Sequence, residues 1–126
     1  MTYRADAIIC EDIRVENNGK VFIIGMYTGA IAANAPTDIS LTALLRFWNL
    51  PEGQHTIDVS VDLNEAEIMS AEGELNVGDQ EQFSAIPLPQ FHFTLKEDGE
   101  LKIKAKLKDS KEFLTAATIP TQLVSA

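Results

Sequence analysis

The sequence predicts an all-β protein in which residues 1–126 form a single domain. The expected architecture is an antiparallel two-sheet sandwich of eight or nine strands, with an Ig-like or related topology. Three observations predict this class. An alternation of apolar and polar residues begins at Gly53 and recurs at Gly99. Turn-forming Asn, Gly and Pro separate short apolar stretches along the chain. No stretch of helical periodicity is longer than about two turns.

The first element is a predicted β-hairpin over residues 5–27, closed by Asn18-Gly19 as a two-residue turn. The predicted cross-strand pairs are Val15 with Phe22, Arg14 with Ile23, and Ile13 with Ile24. The predicted inner face holds five apolar residues: Ile13, Val15, Phe22, Ile24 and Met26. Glu11 falls on that same face under strict alternation. We therefore expect a bulge that turns Glu11 outward, or a position for it at the margin of the core.

The middle of the chain predicts a connection and then a buried strand. Residues 28–40 are small and weakly patterned, which indicates a connection with at most a short strand or a helical turn. Residues 41–50 predict a strand in the interior of a sheet, because apolar residues lie on both of its faces. The first alternating copy, residues 53–61, follows, and residues 66–75 predict the next strand.

After a polar loop at residues 76–82, the stretch 83–95 predicts an edge or a break between two short strands, since Pro87 and Pro89 cannot donate to a ladder. Its inward residues are predicted to be Phe91, Phe93 and Leu95. The second alternating copy, residues 99–107, comes next, and residues 113–119 predict the last strand, which ends before Pro120.

Lysines fill the outer face of the second copy, at Lys102, Lys104, Lys106 and Lys108. The matching outer positions of the first copy are Asp58, Ser60 and Asp62. If the two copies lie side by side in one sheet, these charges become cross-strand pairs. We therefore favour ion pairing, or protection of a sheet edge, over a site for an anionic ligand.

Composition excludes several classes of function. The net charge of -9 repels phosphate backbones and anionic lipid head groups, so we expect neither nucleic acid nor membrane as a partner. The sequence has no apolar run near the length of a bilayer span and no secretion-signal layout, which predicts a cytoplasmic protein. Its single Cys10 cannot form an internal disulfide and is expected to be a buried, inert thiol.

No motif predicts catalysis, a metal site or a cofactor. The only histidines, His55 and His92, lack a His or Cys neighbour at zinc-ligand spacing. An oxygen-rich cluster, formed by Asp62, Asn64, Glu65 and Glu67, lacks the regular spacing of a calcium loop and favours a solvated turn. Nucleophile elbows and phosphate-binding glycine loops are missing. We therefore expect a protein that is not an enzyme.

The N-terminal hairpin carries a resemblance. The pattern runs from Ala7 through Cys10-Glu11-Asp12-Ile13-Arg14, Glu16 and Gly19-Lys20 to Ile24-Gly25 and Tyr27. It resembles the opening of a family of small uncharacterised bacterial proteins, a domain of unknown function. The resemblance implies a β-sandwich of bacterial or phage origin and assigns no activity, ligand or catalytic residue.

Two interpretations of that hairpin motif remain open. In the structural one, Gly25 faces Asp12 and leaves room for the Arg14 side chain. In the functional one, Asp12, Arg14, Lys20 and Tyr27 form a recognition patch on one face.

The leading functional hypothesis is a non-enzymatic module that binds another protein or its own copy, so that a homodimer is one expected form. The alternative is a small-ligand carrier or sensor, with a pocket between the sheets or at the loop end near Trp48 and His55.

Overall fold

The computed structural model describes residues 3–79 and 83–124. Within these residues ten strands form two five-stranded sheets, which confirms the all-β two-sheet sandwich and adds at least one strand to the expected number. In chain order the strands are β1 (Arg4–Val15), β2 (Val21–Met26), β3 (Ile31–Ala33), β4 (Thr37–Trp48), β5 (Gly53–Leu63), β6 (Ala66–Val77), β7 (Phe83–Pro87), β8 (Phe91–Leu95), β9 (Gly99–Leu107) and β10 (Leu114–Leu123). No helix of these ranges has the length and apolar character needed to cross a membrane.

The first sheet is built around β4. Its order is β2-β1-β4-β7, and β8 also pairs with β4. β7 pairs with the second half of β4, and β8 pairs with the first half. The break that Pro87 and Pro89 predict therefore lies between two short strands, and the predicted interior position of residues 41–50 is confirmed.

The second sheet has the order β3-β10-β9-β5-β6. β5 and β9 contain the two alternating copies and are antiparallel neighbours, with Asp58 opposite Lys106 and Ser60 opposite Lys104. The side-by-side arrangement expected from the sequence is thus confirmed. One pair departs from the antiparallel prediction, because β3 runs parallel to β10 over Thr121–Leu123.

Two predicted boundaries are wrong. The connection at residues 28–40 contains the short strand that the sequence allowed, β3, but its end is wrong, because β4 already begins at Thr37. The last strand does not end before Pro120 but continues to Leu123. Proline is tolerated there because β3 pairs with β10 only from Thr121 onward, which leaves the edge beside Pro120 without a ladder partner.

The core lies between the inward faces of the two sheets. Its fully buried large side chains include Phe47, Phe91, Leu45, Leu101 and Ile103. Each such side chain stabilises the fold by roughly 1.5–3 kcal/mol relative to exposure. The inward orientation predicted for Phe91, Phe93 and Leu95 is confirmed, since each is at most 8% exposed.

Candidate functional site

The hairpin of β1 and β2 continues beyond the ladder that joins β1 to β4. The ladder between β1 and β4 ends at the pair Cys10–Thr42, whereas β1 continues to Val15 in its ladder with β2. We call residues 11–26 the arm. One side of the arm is the outer edge of the sheet, because β2 is the terminal strand.

The tip of the arm is a three-residue loop, not the predicted two-residue turn. The Glu16 N–H donates to the Lys20 carbonyl at 2.8 Å, and Asn18 Oδ1 accepts from the Lys20 N–H at 3.0 Å. Gly19 has a φ of 85°, as expected for the left-handed residue that ends such a loop. The longer loop shifts the register by one residue, so that Val15 faces Val21, Arg14 faces Phe22 and Ile13 faces Ile23.

At the base of the arm, Gly25 lies beside Glu11. The ladder skips this pair but keeps its register on either side, so no bulge residue is inserted and Glu11 lies exposed at the margin. Gly25 has a φ of 68°, and a Cβ atom on it would lie 2.6 Å from Glu11 Oε1. The expectation that Gly25 faces Asp12 and makes room for Arg14 is wrong by one position, because the tip loop moved the register.

The arm exposes five apolar side chains, and all of them except Val21 had been assigned to the core from the sequence. The exposed fractions are 60% for Val15, 37% for Val21, 54% for Phe22, 43% for Ile24 and 54% for Met26. Phe22, Ile24 and Met26 share one face of β2, and Val15 and Val21 lie on the opposite face. We call Phe22, Ile24 and Met26 the arm surface. The predicted inner face is therefore wrong, since β4 no longer pairs with β1 beyond Cys10. Large exposed apolar patches on soluble proteins mark interaction sites.

The backbone edge of β2 has little protection against pairing. Val21–Met26 contains no charged residue and no proline. Other outer strands carry such features: β6 exposes Glu67, Glu72 and Glu74, β3 has three residues, and β7 ends at Pro87. Natural proteins blunt sheet edges by these means. An edge without them, flanked by apolar side chains, can accept another strand.

The structure separates the four residues of the predicted recognition patch. Asp12 and Arg14 lie together, with Arg14 Nε 3.6 Å from Asp12 Oδ2, and Lys20 lies at the tip of the same arm. Tyr27 follows β2, donates its N–H to the Ile9 carbonyl, and is half-buried against the core. Three of the four residues thus belong to the arm. The apolar arm surface was missed because the expected register assigned it to the interior.

A second cluster surrounds Trp48 on the outer face of the first sheet. Arg46 Nε lies 2.7 Å from Asp6 Oδ1, and Trp48 Nε1 donates to Asp6 Oδ2 at 3.0 Å. The Arg4 guanidinium lies 4.7 Å from the indole centroid. A cleft of about 400 Å³ opens beside this cluster, lined by Phe47, Trp48, Asn49, Leu50, Val77, Phe83 and Ser84. His55 does not line it, and its ring Nε2 lies 2.7 Å from the Pro51 carbonyl.

Lys104 and Lys106 of β9, and Lys108 directly after it, are paired with carboxylates of β5 and β6. Lys104 Nζ lies 2.6 Å from Asp62 Oδ2, Lys106 Nζ lies 3.5 Å from Asp58 Oδ2, and Lys108 Nζ contacts Glu72. The hydrogen bond from Lys104 lowers the pKa of Asp62 below its ordinary value, against the opposing effect of burial. The structural interpretation of the lysine row is confirmed.

The remaining titratable candidates have structural surroundings. Asn64 and Glu65 both have positive φ and form the turn between β5 and β6, but Asp62 is buried, not solvated as expected. Burial raises the pKa of the Cys10 thiol. Within residues 3–79 and 83–124, no group of three or more His, Cys, Asp or Glu side chains is placed to hold a metal ion.

Comparison with known proteins gives a family and no activity. No curated protein matches the chain. The profile of a family of unknown function, DUF6941, matches residues 5–119, which include most of the fold from β1 to the middle of β10. The chain belongs to this family of unknown function.

Proposed function

We propose that the protein is a non-enzymatic protein-binding or assembly module and that the arm is its binding surface. The observation that supports this proposal is the combination of three exposed apolar side chains on one face, Phe22, Ile24 and Met26, with an uncharged terminal strand. A fold that placed these residues on a free surface without a partner would incur an aggregation risk.

Charged side chains border the exposed apolar side chains of the arm. Arg14 and Asp12 lie opposite Phe22 and Ile24 and so share a face with them. An apolar strip with a charged border resembles the core and rim of protein interfaces. We also propose that the protein is cytoplasmic, because its sole cysteine is buried and a fold without disulfides suits a reducing compartment.

Site-specific photo-crosslinking tests this proposal. A photoreactive amino acid replaces Phe22 in the full chain, and a control variant carries it at Thr94, which is exposed on β8. The expected result is a crosslink to a polypeptide, in cells or with purified protein, that forms at position 22 and is at least tenfold weaker at position 94. Equal or absent crosslinking at the two positions would overturn the proposal.

A second candidate function is small-ligand binding in the cleft beside Trp48. Its volume of about 400 Å³ lies in the range of ligand pockets, and it has an aromatic wall formed by Trp48 and Phe83. Because Trp48 is the only tryptophan of the chain, its fluorescence reports on this cleft directly. A change in that fluorescence in a screen of sugars and nucleotides would support the candidate, and unchanged emission throughout would oppose it.

A further inference from the structure

We propose that the partner of the arm is a second copy of this chain, and that the two β2 strands pair antiparallel about a twofold axis. This inference rests on the proposed function of the arm and names its occupant. The product would be a homodimer in which the first sheets of the two copies become one continuous sheet.

The backbone supports strand pairing as the mode of contact. β2 pairs with β1 on one side only, so the N–H and C=O groups on its other side have no ladder partner in the described residues. An added strand satisfies such groups and gains affinity from main-chain hydrogen bonds. Identical strands paired antiparallel form a self-complementary interface, which is the commonest closed arrangement of soluble oligomers.

The side chains repeat this self-complementarity. Phe22, Ile24 and Met26 lie at alternate positions of β2 and so share one face. Antiparallel pairing continues this face into the same three residues of the second copy. The three side chains of the arm surface are 54%, 43% and 54% exposed, so the apolar contact that they offer is small. Stable interfaces bury about 800 Å² per partner, so we expect a reversible dimer.

Charge explains how a chain of net charge -9 can meet its own copy here. Val21–Met26 carries no charge, so the paired strands place no like charges opposite one another. At the ends of the strand, antiparallel symmetry brings Lys20 of one copy toward the Gly25 end of the other, where Glu11 lies over the glycine. Lys20 of one copy and Glu11 of the other are therefore opposite in sign.

Within one chain these two charges are separated. Lys20 closes the tip loop, and Glu11 lies beside Gly25, five positions along the strand from Lys20. At about 3.3 Å per residue the separation is roughly 17 Å, which is beyond direct contact. A charge exchange between positions 11 and 20 thus reports on contact between copies and not on the fold of one copy.

Sedimentation velocity of the purified full chain, from low micromolar to about 1 mM, tests the inference. The mass of the wild type should rise from 13.8 kDa toward twice that value. Lys20→Glu and Glu11→Lys should each raise the dimer Kd about tenfold, and the double variant should return it to within about threefold of the wild type. Thermal unfolding of all variants checks that the fold persists.

A wild type that stays monomeric over the whole range, or a double variant no tighter than the single variants, would overturn the inference. The proposed function fails separately. If the wild type is monomeric but the photo-crosslinker at position 22 captures another polypeptide, the arm is a binding surface with a different partner. If both experiments give no contact, the inference and the proposed function fail together.

Discussion

The carboxylate of Glu11 occupies the space that a side chain on Gly25 would need, with Oε1 2.6 Å from the ideal Cβ position. Gly25 also has a φ of 68°, which L residues with a side chain adopt only at a cost. The two features together mark the point where the arm leaves the sandwich, directly beyond the last pair between β1 and β4.

Gly25→Ala should lower the free energy of unfolding by about 1–2 kcal/mol, because the left-handed backbone is strained with a Cβ atom. Gly29→Ala is a matched control, since a Cβ atom there has no neighbour within 4 Å and the φ of Gly29 lies outside the left-handed region. We expect the control to stay within about 0.5 kcal/mol of the wild type in chemical denaturation. Equal effects of the two substitutions would contradict the role assigned to Gly25.

Phe22→Ser should leave the free energy of unfolding within about 0.5 kcal/mol of the wild type, because Phe22 is 54% exposed. Phe91→Ala truncates a side chain that is only 1% exposed, so it should lower the free energy of unfolding by about 3–5 kcal/mol. Urea unfolding of both variants measures the contrast. A large loss for Phe22→Ser at concentrations where the chain is monomeric would indicate that the arm belongs to the core.

Asp62→Ala should destabilise the protein by about 1.5–3 kcal/mol, since the buried carboxylate accepts hydrogen bonds from Lys104 and from the Ser60 hydroxyl at 2.9 Å. Asp58→Ala is the matched control on the same strand. Its ion pair with Lys106 is longer, at 3.5 Å, and its side chain is 30% exposed, so we expect a loss below about 1 kcal/mol. If Asp58→Ala lowered the free energy of unfolding as much as Asp62→Ala, burial of the carboxylate would not explain how strongly each ion pair stabilises the fold.

The pH dependence of stability should contain a contribution from Asp62. The hydrogen bond from Lys104 lowers its folded pKa below the ordinary value of 3.8. The ionised form therefore stabilises the fold fully above that value, and this stabilisation is lost as the pH falls from about 5 through 3.8 to below the folded pKa. In urea unfolding at several pH values, the free energy of unfolding of Asp62→Asn should fall less steeply over this pH range than that of the wild type. Parallel curves would contradict the assignment.

Much of the sandwich could be predicted from alternation alone. The two Gly-led copies lie side by side in β5 and β9, and their inward Ile57 and Ile103 are at most 1% exposed. The ion pair of Lys104 with Asp62 follows from the same alternation, because outward positions of adjacent strands share one face.

The arm could not be predicted because it depends on a loop of one extra residue. The side chain of Asn18 binds the Lys20 N–H, which closes a three-residue loop where Asn18-Gly19 predicts two residues. A slip of one position reverses the face of every side chain on a strand, so Phe22 and Arg14 became neighbours in place of Phe22 and Val15. The burial of the apolar side chains of β2 also depends on the residue at which β4 stops pairing with β1. The local sequence of the hairpin does not encode that end point.

In the proposed dimer, a second copy of β2 covers the edge of β2 in solution. Hydrogen–deuterium exchange of the wild type at low micromolar and near-millimolar concentration measures this directly, with β6 (Ala66–Val77) as an internal control edge. We expect amide exchange in Val21–Met26 to slow as the concentration rises, while exchange in β6 stays constant. Exchange in Val21–Met26 that is equally fast at both concentrations would contradict it.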